Sequence, residues 1–162
     1  MSQELWDEGF WLRMRGRLFH VWFLLRRPMT LGVRGLIHDA RANTVFLIRH
    51  TYVPGWHLPG GGIEVGETAL TALERELAEE GNIEILGPPA LCSLHFNPHA
   101  SRRDHVAVYL ISKYRQTAPK LPDMEVAEAG FFSVTSLPPG TTPATRRRIA
   151  EILGSLPPSA EW

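Results

Sequence analysis

The chain has 162 residues, 44% of them hydrophobic, enough to bury the core of one globular domain. Lys and Arg total 17 and Asp and Glu total 17, so no net field draws the protein to nucleic acid or to a membrane surface, and any charge-based function rests on local clustering. The single cysteine, Cys92, excludes an intrachain disulfide; within the apolar run Ala90 to Leu94 it reads as a buried structural thiol, and a reducing, cytoplasmic setting fits.

Residues 1 to 29 mix Trp6, Phe10, Trp11, Phe19, Trp22 and Phe23 with arginines, which predicts an amphipathic arm or helix ended before Pro28. Such an arm can pack on its own domain or on a second copy, so a homodimer is one expectation. Its apolar run Leu18 to Leu25 is far shorter than the roughly 20 residues of a membrane span. Arg26-Arg27-Pro28 stands where a secretory signal would need small residues.

Residues 30 to 162 read as one domain. Thr30 to His38 and Thr44 to Arg49 are β-branched and apolar runs joined by the polar Asp39 to Asn43, the pattern of a hairpin. Thr68 is placed to cap a helix running through Glu80, with Gly81-Asn82 supplying the left-handed stop. His105 to Ser112 and Ala127 to Val134 predict two further strands. Thr142-Pro143 opens a second helix over Ala144 to Leu153, which Gly154 can end. This order implies an α/β fold, a mixed sheet with helices packed on it.

On the first helix, at about 100° per residue, Leu70, Leu73 and Leu77 define a buried face, and Glu76, Glu79 and Glu80 share a flanking arc. Three carboxylates beside a buried edge repel one another, and Arg75 alone cannot neutralise them. A hard divalent cation can, because Mg²⁺ takes oxygen ligands and is commonly held by a few carboxylates plus substrate phosphates. Upstream, Pro59-Gly60-Gly61-Gly62 is poor material for a strand or helix interior and lets backbone approach a ligand. No Gly-Lys-Ser/Thr follows for a P-loop, and Gly60, Gly62 and Gly66 do not make the dinucleotide Gly-x-Gly-x-x-Gly. His95, His99 and His105 lack the companions of a zinc site.

The stretch from Gly61 to Ile83 resembles the Nudix box: Gly61, Glu67, Arg75, Glu76, Leu77, Glu79, Glu80 and Ile83 stand at the family's fixed positions. The departure is Asn82 where the family has glycine, and Asn is the residue that best tolerates left-handed geometry after glycine. Phe46 to Arg49 before Trp56-His57-Leu58-Pro59, and Gly130-Phe131-Phe132 before Ser136-Leu137-Pro138, extend the resemblance over about residues 30 to 155.

The resemblance implies the Nudix fold, an α/β/α sandwich around a mixed sheet. It also implies a Mg²⁺-dependent hydrolase, with Mn²⁺ as a substitute, that cuts a phosphoanhydride in a nucleoside diphosphate linked to another group. Glu76, Glu79 and Glu80 with a carbonyl near Gly61 are the expected metal ligands. Glu79 is the preferred base, and Arg75 orients carboxylates together with Glu67. Glu125 and Glu128 are alternative distal acids. Arg49, Arg102, Arg103 and His105 are candidates for phosphate contact, and Tyr52 or Trp56 for stacking on a base. The alternatives are a nucleotide-sensing module of the same fold and an isomerase of prenyl diphosphates.

Overall fold

The computed structural model describes residues 28–154 and 156–162 together with Met14, Arg15 and Trp22. The arm expected over residues 1 to 29 therefore lies almost wholly outside the described residues. No helix among the described residues is long and apolar enough to cross a membrane.

From Thr30 onward the described residues form seven strands and two helices in the order β1 (Thr30–Asp39), β2 (Thr44–His50), α1 (Ala69–Gly81), β3 (Ile83–Ile85), β4 (Ala90–Phe96), β5 (Asp104–Ile111), β6 (Tyr114–Gln116), β7 (Val126–Ser133) and α2 (Pro143–Leu153). Five strands form one sheet in the order β4-β5-β1-β2-β7, and β3 pairs with β6 in a small second sheet. Only β1 and β5 run parallel among the paired strands, so the sheet is mixed, as expected. Alternation along the central strands separates two cores. Val33, Ile37, Phe46, Ile48, Ala107 and Tyr109 pack against Ala72, Leu73 and Leu77 of α1. Leu36, Val45, Leu47 and Val108 pack on the other face with Ile149 of α2. The α/β/α sandwich follows directly from that alternation.

Both helix starts obey their caps. The Thr68 hydroxyl accepts from the Thr71 N–H, and Thr142 does the same for Thr145 with Pro143 in the first turn. Asn82 ends α1 at φ 53° and ψ 38°, the left-handed geometry anticipated for a glycine substitute.

Two expectations are corrected. Leu70 is 45% exposed, because the inward face of α1 is set by Ala72, Leu73, Leu77, Glu80 and Gly81 and leaves the first-turn leucine at its margin. Cys92 is exposed, not buried. It sits where the pairing of β4 with β5 slips between Leu91 and Ser93, so the chain's apolar run bulges at an edge strand instead of entering the core.

The feature that positions the site is a parting of β1 from β2. The two pair only at His38↔Val45 and Asp39↔Thr44, next to their turn. Beyond it, residues 57–63 are inserted between them. His57 and Ile48 exchange backbone hydrogen bonds, while Gly35 N–H donates to the Pro59 carbonyl and Val33 N–H to the Gly61 carbonyl. Glycine is required here: a Cβ on Gly60, at φ +133°, would lie 2.1 Å from the Val33 carbonyl oxygen. The glycine run is thereby fixed in the middle of the sheet, beneath α1.

Candidate active site

Placed under α1, the glycine run meets the helix carboxylates from below. Glu80 is buried, and its Oε2 accepts a hydrogen bond of 2.6 Å from the Gly60 N–H. Gly61 leaves room for Glu76, since a Cβ there would fall 2.2 Å from Glu76 Oε1. The two carboxylates, one turn apart, thus approach the loop side by side. Glu79 points outward and is 59% exposed at its side chain.

Arg75 gathers the remaining acids. Its Nε donates to Glu67 Oε1 at 3.0 Å, its Nη2 to Glu67 Oε2 at 3.1 Å, and its Nη1 to Glu76 Oε1 at 2.8 Å. Glu79 Oε2 stands 3.5 Å from the same Nη1. The guanidinium, followed by the Glu64 N–H, holds the Glu67 carboxyl below the usual carboxylate range, and Glu67 and Glu76 in turn raise Arg75. The bidentate grip of Glu67 fixes the plane of the guanidinium, and the guanidinium fixes Glu76. The expected orienting role of Arg75 and Glu67 has its geometry here.

Burial pushes the Glu80 carboxyl up to about 7, with the charges of Glu76 and Glu125 adding to the effect and the Gly60 N–H and Arg34 opposing it. Arg34, on β1, donates to the carbonyls of Leu58 and Gly60 and is itself lowered by burial. His50 Nε2 lies 3.7 Å from Glu80 Oε1, and burial holds that imidazole below its ordinary value. The Gly60 N–H and the Arg34 charge therefore offset the burial of Glu80 only in part, and the neighbouring neutral imidazole adds no charge.

Among the described residues, no three His, Cys, Asp or Glu side chains already form a cage for a metal ion. The donor set nonetheless fits a hard cation that keeps several ligands from water and phosphate, since two carboxylates on successive turns flank a glycine backbone and the burial of one of them is only partly offset. The Gly61 carbonyl, the expected backbone ligand, already accepts from Val33 N–H, which holds it against β1.

The distal acids are separated by the fold. Glu125 lines a groove of about 500 Å³ with Glu79, Glu80 and Asp123. Its loop is folded by Asp123, whose Oδ1 accepts the N–H groups of Glu125 and Val126 and whose other oxygen pairs with Lys120. Glu128 is instead drawn to Arg49 at 2.8 Å on an exposed face. Trp56 is a core residue, 6% exposed and packed edge-on to Phe132 at 4.6 Å, so it has no open face for a base. Arg102 and Arg103 are exposed in the turn before β5 and line neither this groove nor the larger cavity beside it. Tyr52 is 68% exposed and lies against His50 with ring centroids 5.0 Å apart. Arg34 and His50 were not singled out from the sequence. The available signal was their type: Arg34 is ionisable amid the apolar part of β1, and His50 closes the apolar run of β2.

A NUDIX domain model matches residues 28–152. The chain belongs to the NUDIX family. A Mycobacterium tuberculosis protein named MutT4 is 31% identical over 103 residues, covering 62% of this chain and 42% of that relative. An RNA pyrophosphohydrolase of Gluconobacter oxydans is 43% identical over 58 residues, or 33% of this chain and 34% of the relative. The matches thus span less than half the length of these curated relatives. Among solved structures, a MutT NUDIX hydrolase from Burkholderia pseudomallei superposes with a TM-score of 0.65 at 24% identity, covering 76% of this chain and 97% of that one. An ADP-ribose pyrophosphatase from Streptococcus suis gives a TM-score of 0.54 at 21% identity over 78% and 92% of the two chains. These two likenesses establish the fold of this NUDIX chain.

Proposed function

We propose that this NUDIX chain is a Mg²⁺-dependent hydrolase, for which Mn²⁺ can substitute, and that it cleaves a phosphoanhydride in a nucleoside diphosphate linked to a second group. The observation that carries the proposal is Glu80, buried with its desolvation only partly offset, lying one helical turn from an Arg75-oriented Glu76 over a glycine backbone. Glu76 and Glu80 would hold the cation, with a carbonyl near Gly61 and substrate phosphate completing its oxygen shell. When bound, the cation supplies positive charge for the diphosphate oxygens and lowers the pKa of the attacking water.

The chain's own groups do the rest. Arg75 keeps Glu76 turned toward the loop, and Glu67 keeps Arg75 in place. Arg34, tied to the carbonyls of Leu58 and Gly60, puts a fixed positive charge beside the carboxylates, where it balances charge that a diphosphate brings in. Glu79 and Glu125 are exposed to the groove that also holds Glu80. We assign removal of the proton from water to Glu79, because it shares a rigid helix with the ligands.

A sensing module would not need this complete set of acids with their orienting arginine. An isomerase reading would call on Cys92, which lies on edge strand β4 and lines neither the groove nor the cavity. The substrate is a nucleotide-type small molecule, and a cytoplasmic setting and a homodimer remain expectations from the sequence. The test is turnover on a panel of nucleoside triphosphates, nucleotide sugars, ADP-ribose, dinucleoside polyphosphates and coenzyme A. Activity with Mg²⁺ should vanish in chelator and collapse in Glu80→Gln with the fold intact. Full activity in chelator would overturn the proposal.

A further inference from the structure

Beside the carboxylates lies a cavity of about 630 Å³, within the size range of small-molecule sites. It shares Arg34 and Gly61 with the acid cluster: Gly61 abuts Glu76, and Arg34 is attracted to Glu80 and Glu76. Glycines form part of its lining. Gly62 pairs with Gly32, and Gly32 pairs with Val106. A Cβ on Gly62 would meet nothing within 4 Å, whereas one on Gly32 would lie 3.2 Å from the Gly61 carbonyl oxygen, so the open space is over Gly62. One wall is Trp162.

Trp162 is held with unusual firmness. Its N–H donates to the Phe96 carbonyl at 2.9 Å, and Phe96 N–H donates to the Ala160 carbonyl at 3.0 Å, so this segment runs alongside β4 as an extra strand-like strap. Beneath the strap lies a buried charged cluster. Arg148, fully buried, pairs with Glu151 at 2.8 Å and donates to His95 Nδ1 and to the Glu161 carbonyl. Glu151 also accepts from the Ser159 N–H, and His95 Nδ1 lies 2.8 Å from the Ser159 carbonyl. The Arg148 guanidinium carbon sits 5.5 Å from the Trp162 ring centroid, with the His95 ring 5.9 Å away. Buried ion pairs contribute little net stability against an apolar replacement, but losing one partner leaves the other charge buried and unpaired, which disfavours arrangements that separate them. Here the arrangement so favoured is that of the strap and its indole.

We propose that Trp162, fixed by the Arg148, His95 and Glu151 cluster, is the platform on which the nucleobase of the substrate stacks, and so a specificity-determining residue. This rests on the nucleotide-hydrolase proposal above. A planar heteroaromatic ring fits a cavity of this size that is lined by an indole and open over Gly62, because stacking needs a flat aromatic face with room beside it. Asp104, also at the cavity, carries a carboxylate already oriented by Thr30 at 2.6 Å and Asn97 at 2.8 Å. Each of its oxygens keeps a second lone pair for an N–H on the base edge. Arg34 and Gly61 then lead from the base toward the acids that face the diphosphate.

The test separates binding from turnover. AMP, GMP, CMP and UMP are titrated by calorimetry in chelator into the unsubstituted protein, Trp162→Phe and Trp162→Leu, with inorganic pyrophosphate as the base-free probe. Removing a stacking ring typically weakens binding by about tenfold or more. Trp162→Leu should therefore lose about tenfold or more for the best-bound nucleotide, Trp162→Phe should retain most of its affinity, and pyrophosphate binding should not change. Should Trp162→Leu unfold, intermolecular NOEs between the Trp162 indole and the base protons in the unsubstituted protein supply the answer. Equal nucleotide affinity in folded Trp162→Leu, no nucleotide binding at all, or NOEs to other rings only would overturn the inference. A protein that binds nucleotides through Trp162 but hydrolyses no anhydride would sink the hydrolase proposal and leave this inference standing.

Discussion

Replacing Glu80 by Gln should stabilise the cation-free protein at alkaline pH while abolishing turnover. Burial raises the Glu80 carboxyl from 4.5 to about 7. Because the folded state holds this proton more tightly than the unfolded state, its contribution to stability is fully present below about pH 4.5 and is lost as pH rises through about 7. At about 1.4 kcal/mol per pH unit, the interval amounts to roughly 3 kcal/mol at high pH. Gln has the same shape, accepts the Gly60 N–H and carries no charge, so it removes the penalty with little loss of packing. Urea unfolding in chelator at pH 5 and pH 8.5 measures it, and comparing the two proteins cancels the titration of groups that do not interact with Glu80. The advantage of Glu80→Gln should grow by roughly 2 to 3 kcal/mol between those pH values. Mg²⁺ should stabilise the unsubstituted protein at pH 8.5 and leave the variant unmoved. An advantage of equal size at both pH values would refute the assigned strain on Glu80.

Gly61→Ala meets no positive-φ strain, yet its methyl would displace Glu76, so turnover should fall on the order of 100-fold, as expected for a misplaced reacting group, with stability nearly unchanged. Steady-state kinetics with a thermal melt checks both halves. Asn82→Gly should be near neutral, whereas Asn82→Val places a β-branched residue at φ 53° and should cost about 1 to 3 kcal/mol by urea unfolding. Glu79→Gln, which removes the assigned base, should lower kcat by about 100-fold or more, whereas Glu125→Gln in the same groove should lower it by less than about tenfold, as steady-state kinetics would show. Glu128→Gln, breaking only an exposed pair with Arg49, should cost about 0 to 1 kcal/mol of stability and leave kcat alone.

The parts of this molecule that were legible in the sequence are those specified locally. The β1–β2 turn, the Thr68 and Thr142 caps and the Asn82 stop each depend on a few neighbouring residues, and each stands where those residues place it. The carboxylate arc was legible for the same reason, since helical spacing alone puts Glu76 and Glu80 one turn apart. What the sequence hid depends on contacts between distant segments. Nothing local to Arg34 says that residues 58–60 will be inserted beside it, and nothing around Glu80 says that a backbone N–H 20 residues earlier will bury it. Strand β4 escaped notice because its bulge at Cys92 breaks the alternation that marks a strand. Trp162 gave no signal at all until the strap laid it beside the cavity. Trp56 misled for the opposite reason: an aromatic near a glycine run looks available, and only the packing of Phe132 closes it off.

Hydrolysis in ¹⁸O-labelled water tests the central claim most directly. With Mg²⁺ and an active substrate from the nucleotide panel, the account predicts that one phosphate-bearing product gains a single label on phosphorus, and that the position of the label reports which phosphorus water attacked. Label in a sugar hydroxyl, or a phosphorylated protein trapped during turnover, would contradict it and assign the carboxylates of α1 to a different chemistry.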